Sequence, residues 1–288
     1  MRPLLEIRAL GHRYPDGSHG LADCSLVLLP GSRNALLGAN GSGKTTLLQH
    51  INGLLRPSSG GLLLDGRALD YSRAGLAALR RRVGLVFQNP DQQLLAATVF
   101  EDVSFGPLNL GLDAAQVRRR TVEALQAVGL ADLAGRQVQQ LSHGQKKRIC
   151  IAGVLAMEPE LLLLDEPMAG LDAAMQEELL TVLDSLSGRG VTLLLSTHDV
   201  DFAYRWADAI HLLQRGGCVA SFAALALPEY SSELLAAGQP LPAVVALHRS
   251  LVERGLLAGV PVPRSLAALQ AVLRTNCPKF EFEPGGDH

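Results

Sequence analysis

The apolar positions of this chain fall into runs of different rhythm. Ala35-Leu36-Leu37, Leu161-Leu162-Leu163-Leu164 and Val191-Thr192-Leu193-Leu194-Leu195-Ser196-Thr197 are apolar almost without interruption. Runs that do not alternate suit strands of a parallel sheet buried on both faces. Leu4 to Leu10 and Ser25 to Leu29 read as edge strands, with Tyr14-Pro15-Asp16-Gly17 as the turn between them. Gly61 to Gly66 predicts a strand ending in a turn, and Val83 to Phe87 a strand that stops at Gln88-Asn89-Pro90. His211-Leu212-Leu213 and Cys218-Val219-Ala220, joined by Gln214-Arg215-Gly216-Gly217, predict a hairpin. From about 91 to 140 the period becomes helical, with Asp113, Arg118-Arg119-Arg120 and Glu123 on solvated positions.

Strands alternating with helices predict a doubly wound α/β domain over residues 1–222, with a helical insertion at about 91–140. After about residue 222 the pattern changes. Ser232 to Ala237, Ala243 to Arg254 and Ser265 to Arg274 predict short helices between Gly/Pro turns, a small C-terminal helical module over 223–288 with a frayed tail from Glu281. Leu266, Leu269 and Leu273 would share one helix face, which needs a cover from the preceding domain or from a second copy.

Composition narrows the class. The chain has 288 residues, 48% of them hydrophobic, enough for a sizeable core. The formal net charge of −2 shows no basic excess, which argues against nucleic acid as a partner. Cys24, Cys150, Cys218 and Cys277 lie far apart without a C-x-x-C pair, as expected of reduced structural thiols in a cytoplasmic protein. The first residues show no apolar signal region, and the longest apolar run, about Ile149 to Met157, is far short of the roughly 20 residues that cross a bilayer. Work at a membrane is therefore expected to go through a partner. The 8 histidines are scattered and make no zinc-like pair, so no transition-metal site is expected in this chain. Arg80-Arg81-Arg82 and Arg118-Arg119-Arg120 read as solvated helix faces.

The chemistry begins at Gly38-Ala39-Asn40-Gly41-Ser42-Gly43-Lys44-Thr45, which fits the phosphate-loop pattern G-x-x-x-x-G-K-[ST] at every fixed position. Glycines let successive N–H groups turn inward onto a phosphate chain. Lys44 adds a point charge for the β- and γ-phosphates, and the Thr45 hydroxyl suits Mg²⁺. The apolar strand before the loop and a helix opening at Thr46-Leu47-Leu48-Gln49 supply the expected setting. Asp165 and Glu166 end a second apolar strand; the first acid suits Mg²⁺ and the second can polarise water. In Leu141-Ser142-His143-Gly144-Gln145, Ser142 is placed to cap a helix running to Ala156, giving a second anion-binding helix start.

Leu141-Ser142-His143-Gly144-Gln145 resembles the LSGGQ signature of ATP-binding-cassette (ABC) ATPases. The order of parts is similar as well: phosphate loop, Gln88, helical insertion, signature, Asp165-Glu166, Ala169-Gly170-Leu171-Asp172, then His198. The resemblance covers about residues 4 to 222. It implies a phosphate-loop NTPase fold with ATP and Mg²⁺ as ligands. It also implies roles: Tyr14 stacking on adenine; Gly38, Asn40, Gly41, Ser42, Gly43, Lys44, Thr45 and Thr46 holding phosphates; Thr45, Gln88 and Asp165 at Mg²⁺. Glu166 would be the general base, and His198 the switch residue at the γ-phosphate. Asp172 would link two subunits. Catalysis would draw on Glu166, His198, Gln88 and Lys44. Ser142, Gly144 and Gln145 would serve a nucleotide held by a second chain, so the ATPase would work as a pair, a homodimer first and a paralogue as the alternative.

Phe87-Gln88-Asn89-Pro90-Asp91-Gln92-Gln93-Leu94, Val99 to Pro107 and Leu141 to Arg148 narrow the resemblance to energy-coupling-factor (ECF) ATPases. His143 and Ile151 to Met157 bring it nearest to the cobalt-importer members. This implies ATP-driven uptake of cobalt, or nickel next, at the cytoplasmic face of a membrane, with a coupling T subunit and a substrate-binding subunit as partners. Vitamin uptake is the alternative within the class, and a soluble ABC ATPase outside it. The C-terminal extension of ECF ATPases, implicated in dimer contact, fits the residues after about 222. Two positions depart from the family pattern: His143 in place of Gly, and Met168 where a hydroxyl residue is usual.

Overall fold

The structure is a computed structural model that describes residues 2–257 and 259–276; Cys277 and the tail from Glu281 lie outside the described residues. In chain order the elements are β1 (Leu5–Arg13), β2 (His19–Leu28), β3 (Arg33–Leu37), α1 (Lys44–Ile51), β4 (Ser59–Leu64), β5 (Arg67–Ala68), α2 (Arg73–Arg82) and β6 (Val83–Val86). Then come α3 (Val99–Asn109), α4 (Ala114–Ala127), α5 (His143–Leu155), β7 (Leu161–Leu164), α6 (Ala173–Gly188), β8 (Thr192–Thr197), α7 (Val200–Trp206), β9 (Ala209–Gln214) and β10 (Gly217–Ala223). The described residues close with α8 (Ser231–Ala236), α9 (Ala243–Glu253) and α10 (Leu266–Asn276).

Two sheets carry the fold. The larger has the order β10-β9-β3-β8-β7-β6, and the smaller β2-β1-β4-β5. Strands β9, β3, β8, β7 and β6 run parallel, and β10 returns antiparallel as the expected hairpin. The two runs read as edge strands, β1 and β2, pair antiparallel in the separate smaller sheet, where β2 is an edge and β1 lies between β2 and β4. Their alternation explains this: Cys24, Leu26 and Leu28 of β2 are buried while the intervening Ser25 and Val27 are exposed, a pattern for a sheet with one covered face.

Successive residues of the central strands point to opposite faces, and each face has its own apolar cluster. Leu36, Leu161, Leu163 and Leu194 pack with the smaller sheet and with Leu47, Leu48 and Ile51 of α1. Leu37, Leu162, Leu164, Leu193 and Leu195 pack with α3–α7. This is why these strands are apolar throughout. The register sets Leu37 beside Thr197 and Leu164 beside Leu195, so the C-terminal ends of β3, β7 and β8 open on one edge. In parallel α/β sheets that edge is where ligands bind.

The segment after Ala223 rests on α7. Leu227, Leu234, Val244, Val245, Leu269 and Leu273 join the cluster that holds Val200, Phe202, Tyr204 and Trp206. The Arg264 guanidinium donates to the carbonyls of Tyr204 and Ala207, covering the C-terminal end of α7. At the other end the Asp201 carboxylate accepts the Ala243 N–H at 2.7 Å. Leu269 and Leu273 are thus buried within this chain's own apolar cluster, while Leu266 stays exposed.

Candidate nucleotide site

The phosphate loop leaves β3 at Leu37 and enters α1 at Lys44, two residues earlier than the helix start read from the sequence. Gly43 is the cap of α1 with φ +105°, a left-handed conformation that a side chain resists. A Cβ there would lie 2.7 Å from the Gly20 carbonyl oxygen, so β2 backbone presses on the loop from outside. The Gly38 N–H donates to the Thr197 carbonyl, and the Gly216 N–H donates to the Ser42 carbonyl. The loop is therefore pinned by β8 and by the β9–β10 turn. Lys44 is buried, and its ammonium donates to the carbonyls of Gly38 at 2.7 Å and Ala39 at 3.3 Å.

The acidic pair stands where β7 ends. Asp165 accepts the Thr45 hydroxyl at 2.7 Å on one oxygen and the Ser196 hydroxyl at 2.6 Å on the other. Ser196 also accepts the Glu166 N–H at 2.9 Å. Glu166 has φ +43°, a left-handed conformation that costs a non-glycine residue about 1–3 kcal/mol and needs outside support. Its Oε1, buried and without a directional hydrogen bond, faces the Lys44 ammonium at 3.2 Å. Its Oε2 lies 3.1 Å from His198 Nδ1. Lys44, Thr45, Asp165, Glu166 and His198, far apart in sequence, thus form one contact network.

A cleft of about 470 Å³ opens over this network, lined by Tyr14, His19, Gly20, Asn40, Gly41, Gly43, Lys44, Thr45, Thr46, Gln88 and Glu166. Tyr14 meets the ring of His12 edge-on and shares a 2.8 Å hydrogen bond between its hydroxyl and that of Thr46. Gln88, exposed just past β6, reaches the same cleft. The residues present fit a magnesium nucleotide. The buried Ser42 hydroxyl has no partner among the described residues, and Gly41, with nothing within 4 Å of where a Cβ would stand, leaves the backbone open to phosphates. The Thr45 hydroxyl beside the Asp165 carboxylate is an all-oxygen set of the kind Mg²⁺ takes.

The signature residues are elsewhere. Ser142 caps α5 by accepting the Gln145 N–H, and the Gln145 side chain accepts the Ser142 N–H, a reciprocal capping box. Gly144 faces α6, where a Cβ would come 2.9 Å from the Met175 sulfur. The hollow at this helix start is lined by Ser142, Gly144, Gln145, Arg148, Leu171, Met175, Glu178 and Leu179, and shares no residue with the phosphate-loop cleft. Asp172 caps α6 through the Met175 N–H.

Two residues that the sequence reading passed over belong to the site. Ser196 lies inside the strand run Val191 to Thr197, which gives it no role by pattern alone. Lys147 stands in the Leu141 to Arg148 stretch without an assigned role there, yet it is 3% exposed and donates to backbone carbonyls behind Glu166. Burial pulls its pKa down to about 8, against the opposing pull of Glu166. Burial likewise pushes the Cys150 thiol up to about 12, and Cys24, Cys150 and Cys218 are free. Among the described residues no cluster of three or more His, Cys, Asp or Glu could hold a metal ion, and no helix is long and apolar enough to cross a membrane.

A phosphate loop between a parallel strand and a helix, with an acidic pair at the end of β7 one strand beyond β8, defines a phosphate-loop nucleoside-triphosphatase; the detached signature helix narrows it to the ABC type. The family model for ABC transporters matches residues 21–169. The cobalt import ATP-binding protein CbiO of Rhodobacter capsulatus is 51% identical over 87% of this chain and 89% of its own. An energy-coupling factor transporter ATP-binding protein, EcfA2 of Methanospirillum hungatei, is 40% identical over 96% of this chain and 69% of its own. The solved structure of CbiO1 from Clostridium perfringens, part of the ABC transporter complex CbiONQ, is 38% identical with a TM-score of 0.75, covering 86% of this chain and all of that one. The chain belongs to the ABC transporter family and is an ATPase subunit of its energy-coupling-factor type.

Proposed function

We propose that this ATPase powers uptake of a transition-metal ion, cobalt first and nickel second, as a pair of chains at the cytoplasmic face beneath membrane-embedded coupling and substrate-binding subunits. The cobalt assignment rests on the likeness to the R. capsulatus protein over most of both chains. The hydrolytic assignment rests on the contact network in which Glu166 touches both Lys44 and His198.

Asp165 and Thr45, with Gln88 beside them, would hold Mg²⁺, which neutralises charge on the β- and γ-phosphates. Lys44 binds the same phosphates; a nucleotide entering the loop competes with Glu166 for its ammonium. Glu166 accepts a proton from the attacking water, and His198 holds that carboxylate and contacts the γ-phosphate. Tyr14 offers its ring to the base. Because the signature hollow and the phosphate cleft share no lining residue, Ser142, Gly144 and Gln145 serve the nucleotide of a second chain. A partly apolar groove of about 490 Å³, with the exposed Leu54, Leu95 and Phe105 along it, borders Phe87 beside Gln88 and suits a helix of the membrane partner.

Two tests separate the layers. Glu166→Gln should keep ATP binding and slow hydrolysis on the order of 10²-fold or more; turnover near wild type removes Glu166 as the base. Mixing Lys44→Ala with Ser142→Arg chains should regain activity through one intact composite site; full activity from a strictly monomeric wild-type chain refutes pairing. For the cargo, the chain produced with its membrane partners should drive ATP-dependent uptake of cobalt or nickel ions into cells. Uptake of a vitamin and of neither metal overturns the metal assignment.

A further inference from the structure

Lys147 is a buried cation whose partners are backbone oxygens. Its ammonium donates to the carbonyls of Pro167 at 2.8 Å and Ala169 at 2.5 Å, and reaches that of Glu166 at 3.5 Å. Among the described residues no carboxylate stands within 4.0 Å of it as an ion-pair partner. A buried ammonium is expensive, and an apolar side chain of the same length would avoid that cost if the position only needed filling. Three carbonyls converging on one cation point to a different demand, that of holding a particular backbone shape.

The shape held is the turn that presents Glu166. The Ala169 N–H closes it on the Glu166 carbonyl at 3.1 Å, and Glu166 itself is left-handed. On the N-terminal side Ser196 holds the Glu166 N–H; on the C-terminal side Lys147 gathers the carbonyls. These two grips set the direction from which the carboxylate reaches Lys44 and His198. Lys147 also lies in α5 only five positions after its cap, Ser142. One rigid helix therefore carries the signature at its start and, a turn later, the cation that grips the turn behind the base. Its first turn packs on Met175 and Leu171, which border the same connection.

We propose that Lys147 is a positioning residue that ties the signature helix to the general base of its own chain, so that a shift of α5 when the signature meets the partner's nucleotide is passed to the Glu166 backbone. This rests on the reading of Glu166 as the base and deepens it. It makes the two composite sites of a pair mutually dependent through α5 and the Lys147 hydrogen bonds of this chain: Ser142 serves one nucleotide while Glu166 serves the other.

The test uses the full chain with Lys147→Met, Lys147→Gln and Glu166→Gln in parallel. ATP affinity, Mg·ATP-driven pairing and kcat are measured separately. Lys147→Met keeps the stem but loses the donors; its kcat should fall on the order of tenfold to a hundredfold, with ATP affinity and pairing retained. Lys147→Gln returns N–H donors to the carbonyls and should recover part of kcat. Wild-type kcat in Lys147→Met, if Glu166→Gln is slow, overturns the positioning role and leaves the base in place. Near wild-type turnover in Glu166→Gln overturns both. Loss of affinity and kcat together, to the same degree in both Lys147 variants, marks a merely structural residue and also overturns the proposal; Lys147→Gln decides the matter if Lys147→Met does not fold.

Discussion

Ser196→Ala isolates the least visible part of the site. The hydroxyl is fully buried and has two partners: it donates to the Asp165 carboxylate at 2.6 Å and accepts the Glu166 N–H at 2.9 Å. A hydrogen bond to a charged group contributes about 1.5–3 kcal/mol and a neutral one about 1 kcal/mol. Removing the oxygen leaves Asp165 with only Thr45 among its side-chain partners and leaves a buried N–H unpaired on a left-handed residue. The expected loss is therefore about 3 kcal/mol, which for a domain of this size lowers Tm by roughly 6–12 °C. Hydrolysis should fall as well, because the substitution frees the Glu166 backbone on the side Lys147 does not hold. The assay is a thermal melt paired with steady-state phosphate release, with Ser196→Thr as a control that keeps the hydroxyl. A Tm and a turnover both equal to wild type would show that Ser196 holds neither acid, and the account of how the pair is oriented would fail.

Gly43→Ala places a Cβ 2.7 Å from the Gly20 carbonyl at φ +105°, so nucleotide affinity should be largely lost; retained affinity in a titration would show that the loop has slack. Burial holds the His50 and His211 imidazoles at pKa values of about 4, with His12 beside His50 adding to it. Both are neutral in the fold but take up protons below about 6.5 when unfolded, so their stability is complete above that pH and declines as pH falls toward 4, by about 3 kcal/mol each at the low end. His50→Phe should flatten the slope of stability against pH between 6.5 and 4.5; an unchanged slope would refute the burial account. Ending the chain after Ala223 uncovers Phe202, Tyr204 and Trp206 and removes the Arg264 cap from α7, so the melting temperature should drop while nucleotide affinity of the folded fraction stays close to that of the full chain. A large loss of affinity at low temperature would show that the C-terminal helices help build the phosphate site.

Local chemistry was legible in the sequence wherever a residue's job depends on its near neighbours. The phosphate loop is a run of eight residues whose conformation the glycines dictate. The capping box at Ser142 and Gln145 closes within one helical turn, and unbroken apolar strands can belong only to a sheet covered on both faces. Those features placed Lys44, Thr45, Asp165 and Glu166 near one another in function before any geometry. What the sequence left open depends on contacts between distant segments. Alternation alone does not say which sheet a strand joins, and β1 and β2 left the main sheet because their polar faces need solvent. Ser196 and Lys147 carry no local sign of their roles, since a serine in an apolar strand and a lysine in a basic run look alike whether they face water or a buried acid. Parallel register decided both: it brought the ends of β3, β7 and β8 to one edge and laid α5 against the turn after β7, where burial removed water as the alternative partner and left backbone and carboxylate oxygens as the groups to bind.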